Sequence, residues 1–143
     1  AHTIDLKDRY GEGHSLRVAL YSREIARRLG WTVEELENLY NVALLHDIGK
    51  SFTKGYKDSK GNPCEYAHYY QHHLVSAYDA VRYLRFVEEN DRLEILALIQ
   101  WHMFPYFWEK DNNTKMQSKY KKLWGDELYD KIMLLHKADM EAH

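Results

Sequence analysis

Two prolines, Pro63 and Pro105, are all that punctuate 143 residues. Proline lacks a backbone donor and breaks helix interiors, so the long windows around these positions are free to be helical. Apolar residues recur there at helical spacing. Val18, Tyr21, Ile25 and Leu29 form one such line behind His14. Gly30 follows as an expected C′ residue, with Arg27 and Arg28 in the last turn, where cations suit the helix dipole. "TVEE" reads as a capping box, Thr32 capping and Glu35 three residues on. The second helix runs through Leu36, Leu39, Tyr40 and Ala43 to His46 and Asp47. Further helices are expected over about 67–86, from an Asn90 cap to His102, and from Thr114 to Trp124. Gly125 breaks the last of these, and Asp126 caps a final helix to about Glu141. No segment alternates with period two between turn signals. The expected architecture is all-α, a single helical bundle of about six helices forming one domain over 1–143. Residues 51–66 and the aromatic-rich "HMFPYFWEKDNN" are expected loops. Long loops of this kind in compact domains are often binding elements.

Several polar side chains interrupt the apolar stripes. His14 leads the first line, and in "ALLHDIGK" His46 and Asp47 lie three and four residues beyond Ala43. His102 continues Ile95 and Ile99, and Asp139 continues Leu128, Ile132 and Leu135. Steps of three or four residues place each on the core side of its helix. Taken singly, a satisfied core histidine or a capping aspartate is the commoner explanation. Together they offer imidazoles and carboxylates from four helices, with His72 and His73 of "QHHLVSA" adding further candidates. A buried carboxylate is costly unless it is paired or bound to a metal. Helical bundles build metal sites from inward-facing side chains in this way, and first-row divalent ions accept mixed nitrogen and oxygen donors.

Composition removes some alternatives. A net charge of −2 gives no general support for a polyanion or membrane-surface partner, and no clear nucleic-acid-binding surface stands out. The one cysteine, Cys64, excludes an internal disulfide and fits a reducing compartment. No apolar run is long enough to span a bilayer, and no signal-peptide pattern is present. A cytoplasmic location without membrane contact is the resulting expectation. Oligomeric state is unconstrained.

The motifs "GHSLRVA", "ALLHDIGK" and "HKAD" resemble the ligand signature of the HD-domain superfamily of metal-dependent phosphohydrolases. The resemblance covers about Ile4 to Ala142. It implies His14, His46, Asp47 and Asp139 as metal ligands. "YYQHHLVSA" looks like a His-x-x-Val-Gly/Ser-Ala element of HD domains, and aligning Val75-Ser76-Ala77 selects His72 rather than His73. "LIQWH" supplies His102. The segment from "HDIGK" to "YYQHH" also resembles small phage and Firmicute HD phosphohydrolases. "KDRYGEGHSLRVALYSREIA" looks like the start of an HD-GYP domain. However, "MFPYF" after His102 carries neither a second adjacent histidine nor a Gly-Tyr-Pro element, which argues against that subfamily and against cyclic-di-GMP hydrolysis.

What the resemblance implies is hydrolysis of a phosphate ester, on a nucleotide or related small molecule, by a metal-bound hydroxide. One or two divalent ions per chain are expected, with iron, manganese, cobalt, nickel and magnesium all compatible. His14, His46, Asp47 and Asp139 would hold one ion. His72 and His102 would complete a second, with Asp47 bridging and, as a catalytic residue, orienting the hydroxide. Lys50 and Arg17 are candidate catalytic and substrate-phosphate contacts, and Lys54 a further substrate contact. His68, His73 and His136 have weaker claims, and His2 and His143 sit at the chain ends. Tyr69, Tyr70, Trp101, Phe104, Tyr106 and Phe107 can stack a nucleobase or simply pack. A di-iron HD-type oxygenase and a non-catalytic nucleotide-sensing module are the competing readings of the same residues.

Overall fold

The computed structural model describes residues 13–143. His2 and the first part of "KDRYGEG" lie outside them. Six longer helices carry the architecture: α1 (His14–Arg28), α2 (Val33–Leu45), α4 (His72–Ala80), α5 (Glu89–Trp101), α7 (Thr114–Trp124) and α8 (Asp126–Glu141). Two short ones, α3 (Lys50–Thr53) and α6 (Phe104–Lys110), lie between them. The sole sheet among the described residues is an antiparallel hairpin of β1 (Lys54–Lys57) and β2 (Pro63–Tyr69). The chain is all-α with a small hairpin insertion.

The predicted helix ends hold where their chemistry is local. Thr32 Oγ1 accepts the Glu35 amide at 3.2 Å and caps α2. Gly30 takes φ +82°, and the Trp31 amide reaches back to the Ala26 carbonyl at 3.1 Å, the closing pattern expected of a C′ glycine. Two caps differ. Glu88 rather than Asn90 precedes α5, and Gly125 rather than Asp126 precedes α8, which leaves Asp126 in the first turn facing the positive helix end.

Helix α1 packs on α2 and α8, and α5 packs on α2, α4 and α8. Val18, Leu39, Val42, Leu45, Ile95, Ile99, Ile132 and Leu135 fill the space between them. The buried face of α1 is rotated from the expected line. Val18, Ala19, Ser22 and Ala26 face inward, while Tyr21 and Leu29 are exposed. The sequence pattern favours the bulkiest apolar residues, but close approach of neighbouring helices selects the small ones.

Three further expectations change. The expected loop over 51–66 contains α3 and the hairpin, whose register pairs Lys54 with Tyr69 and Gly55 with His68 and then shifts before Lys57. That irregularity hid the period-two pattern. The third helix starts at His72, not near 67, because β2 runs to Tyr69 and Gln71 turns the chain in the left-handed region at φ 58°. The aromatic "loop" after His102 forms α6, with Pro105 in its first turn. Proline has no helical partner to lose there, so it starts a helix instead of stopping one.

Candidate metal centre

Five of the six residues singled out as ligand candidates occupy helix ends. His14 and His72 open α1 and α4. His46 is the C-terminal cap residue of α2, Asp47 lies in the turn that follows, and His102 caps α5. Asp139 lies in the last turns of α8. The α2 ladder ends at Leu45, two residues earlier than expected, and i→i+3 bonds continue the chain: Ile48 N–H to Leu45 O and Lys50 N–H to Asp47 O. All six side chains are buried.

Helix C-termini leave carbonyls without intrahelical partners; His46 and His102 answer this, while His72, at a helix start, bonds the carbonyl that ends β2. The Nδ1–H of His46 donates to the Ala43 carbonyl, that of His102 to Ile99, and that of His72 to Tyr69 at 2.9 Å. With Nδ1 committed as donor, each ring turns its Nε2 toward the interior.

The Nε2 atoms converge on two carboxylates. His14 lies 3.0 Å from Asp139 Oδ1, and His46 lies 3.5 Å from the same oxygen. Asp47 Oδ2 is 3.3 Å from His46 and 3.8 Å from His14. Its other oxygen, Oδ1, is 3.1 Å from His72 and 3.8 Å from His102. The two Asp47 oxygens thus face different pairs of imidazoles. Two sets, His14/His46/Asp139 and His46/Asp47/His102, each bring three donor atoms within 4.8 Å of one another and could hold a metal ion.

The arrangement fits a cation on two grounds. His46 is fully buried, and its Nε2 lies 3.3 Å from Asp47 Oδ2 and 3.5 Å from Asp139 Oδ1 without a well-aligned hydrogen bond to either. A polar atom left in this way is expensive in a protein interior. His72 and His102 also bring their Nε2 atoms to 3.2 Å. Both rings spend Nδ1–H on carbonyls, so two lone pairs meet unless a proton or a metal lies between them.

The protonation states follow from this crowding. Burial pushes the His46 imidazole down, but Asp47 and Asp139 together outweigh it and raise it to about 9. Burial also pushes the two carboxylates up. His46, His102, His72 and Lys50 nevertheless hold Asp47 well below the usual carboxylate range, and His14 and His46 hold Asp139 below it. His102, deeply buried, is pushed down.

Gly49 explains how α4 reaches this cluster. A Cβ at Gly49 would lie 2.5 Å from the Ser76 amide nitrogen and 2.6 Å from the His72 carbonyl. The Gly49 amide instead donates to Ser76 Oγ at 2.8 Å, which pins α4 against the turn that carries Asp47.

The other expected contacts are placed as follows. Lys50 Nζ lies 2.8 Å from Asp47 Oδ2 and 5.7 Å above the Tyr69 ring. Arg17 Nε donates to the Ala142 carbonyl at 3.4 Å, tying α1 to the end of α8. Lys54 is exposed on β1, with its Nζ 5.7 Å from the Tyr56 ring. His73 is buried beside Phe104 and Phe107, and His68 stacks on Tyr70. His143 stacks on His14 with ring centroids 4.7 Å apart. Two contacts were not anticipated. Tyr106 donates its hydroxyl to Asp139 Oδ2 at 2.8 Å, and His136 Nε2 meets Glu109 at 2.9 Å.

Trp101 and Phe104, two of the candidate base-stacking side chains, pack against Tyr120 and Trp124. No helix among the described residues is long and apolar enough to cross a membrane.

Comparison with known proteins identifies a family. The chain is 36% identical over 81 residues to 3'3'-cGAMP-specific phosphodiesterase 1 of Vibrio cholerae, covering 54% of this chain and 19% of that protein. It is 49% identical over 47 residues to 3'3'-cGAMP-specific phosphodiesterase 3 of the same organism, covering 33% of this chain and 10% of that one. The chain therefore spans only a small part of the length of these curated relatives. No solved structure gives a significant match. The HD domain family model matches residues 11–140, a range that contains the histidine–aspartate doublet and every residue of the buried cluster. By that match, and with the doublet at the centre of its polar core, the chain belongs to the HD domain family.

Proposed function

We propose that this chain hydrolyses a phosphodiester of a nucleotide, with divalent metal held by His14, His46, Asp47, His72, His102 and Asp139. HD domains bind divalent metal ions, and the relatives' printed names are those of nucleotide phosphodiesterases. The observation that carries the reading is Asp47. Its two oxygens address separate imidazole pairs, His14 with His46 and His72 with His102, so Asp47 would help to hold metal beside either pair. That arrangement supports the reading of two ions per chain over one.

Bound divalent metal supplies a water of lowered pKa and polarises a phosphoryl oxygen. The chain's own residues do the rest. Nδ1 contacts to backbone carbonyls keep His46, His72 and His102 in one ring orientation, so their Nε2 atoms need no rearrangement. His46 must give up its proton before Nε2 can bind, and Asp47 and Asp139 accept its loss only in exchange for another positive charge. Lys50, held between Asp47 and the Tyr69 ring, places an ammonium at the edge of the cluster to receive a substrate phosphate. Lys54 on the hairpin extends positive charge outward, and Arg17 fixes the α1–α8 seam beside His14 and Asp139.

Elemental analysis of the purified chain tests the assignment together with turnover of a panel of nucleotide phosphodiesters in Mn²⁺. The expected result is two metals per chain, with Asp47→Ala losing both metal and turnover. Full activity in Asp47→Ala would overturn the reading. Oxygen uptake without phosphate-ester cleavage would assign the di-iron oxygenase alternative instead.

A further inference from the structure

Helix α6 meets α8 through two polar contacts at matching intervals. Tyr106 and Glu109 lie three residues apart on α6, and His136 and Asp139 three apart on α8. Residues at that spacing share a helix face. Tyr106 pairs with Asp139 at 2.8 Å and Glu109 with His136 at 2.9 Å, so the two helices run in opposite directions along this seam. The Tyr106 ring also stands edge-on to the His136 ring, with centroids 4.4 Å apart. That packing leaves the ring committed to the seam and the hydroxyl committed to one carboxylate oxygen.

Asp139 has its two oxygens in different surroundings. Oδ1 faces His14 and His46, and Oδ2 accepts from Tyr106. A carboxylate without the second contact can rotate and offer either oxygen, or both. We infer that Tyr106 is a positioning residue which holds Asp139 so that Oδ1 alone is presented to the metal, with the Glu109–His136 contact fixing α6 in place. The inference rests on Asp139 being a ligand, as proposed above. Ligating carboxylates are commonly held by such outer hydrogen bonds, and their loss typically weakens metal affinity by about 10–100-fold.

Calorimetric titration of the metal-free full chain with Mn²⁺ tests this, comparing wild type, Tyr106→Phe and Asp47→Ala. Thermal melting of each metal-free variant checks folding. Tyr106→Phe should weaken one Mn²⁺ site by about 10–100-fold. Excess Mn²⁺ should restore its kcat on a nucleotide phosphodiester, with KM unchanged. Wild-type Mn²⁺ affinity in Tyr106→Phe overturns the positioning role. A raised KM that excess Mn²⁺ does not restore also overturns it, and makes Tyr106 a substrate contact. If Tyr106→Phe does not fold, Glu109→Gln reads the same seam: several-fold weaker Mn²⁺ binding supports the inference, and unchanged binding overturns it. Asp47→Ala separates the two levels. If it too binds Mn²⁺ normally, the metal assignment itself fails. If it alone loses Mn²⁺, only the role of Tyr106 fails.

Discussion

Helix α8 buries two charged side chains about two turns apart, and they are handled in opposite ways. Lys131, near its start, donates to Glu94 on α5, lies 3.4 Å from Glu127 and sits over the Trp31 ring. Burial pulls its pKa down, but the carboxylates win and raise it. Its charge is answered by partners already present. Asp139, near the other end, sets Oδ1 against His14 and His46 and Oδ2 against Tyr106, beside a His46 Nε2 that has carboxylates at 3.3 and 3.5 Å but no well-aligned hydrogen bond. The first arrangement is closed and serves packing. The second gathers donor atoms that could hold a metal ion. Burial alone does not mark a functional site; unmatched donors and acceptors do.

The most severe way to probe this contrast is Asp47→Ala, which should leave no measurable metal or turnover while the chain still folds, as judged by circular dichroism. Loss of folding instead would make the cluster as structural as Lys131. Gly49→Ala should come next. Its Cβ meets backbone atoms of His72 and Ser76, so α4 must shift, at a cost of about 1–3 kcal/mol in a denaturant melt. Metal stoichiometry should fall toward one, because His72 moves with α4. Lys131→Met should invert the pattern, losing about 1–3 kcal/mol by leaving Glu94 without its charged partner while metal content and activity stay at wild-type levels. Adding Mn²⁺ at 100 times its Kd should stabilise both wild type and Lys131→Met by about 2.7 kcal/mol for each site filled, since binding to the folded state alone adds that increment per site. A smaller increment in Lys131→Met would mean that the two ends of α8 are coupled.

The smallest effect concerns protons. In the metal-free protein His46 carries a proton up to about pH 9, above its ordinary value. The stability this contributes is fully present below the ordinary histidine value and is lost as pH rises through about 9. Metal must displace that proton, so Mn²⁺ binding at pH 7.5 should release it, read as a calorimetric heat that changes with buffer ionisation enthalpy. Affinity should rise with pH and level off near 9. A pH-independent affinity would remove His46 from the ligand set.

Much of this was legible along the chain. Stripe positions brought His14, His46, Asp47, His102 and Asp139 to the buried side of their helices, and the HD resemblance chose His72 over His73. Local signals such as the Thr32 cap and the Gly30 stop also survived, because their physics involves only near neighbours. The hairpin was hidden by its register shift, and α6 by a proline that reads as a breaker unless it falls in a first turn.

What the sequence determined by itself is the helical class, the helix limits set by local caps, and the set of donors turned inward, since periodicity and short-range hydrogen bonding suffice for these. Only the tertiary structure decided how the donors are shared. The two oxygens of Asp47 divide between imidazole pairs because Gly49 lets α4 approach the turn after α2. The second oxygen of Asp139 belongs to Tyr106 because α6 lies along α8. Those assignments depend on contacts between residues far apart in the chain, and no local pattern encodes a distance of that kind.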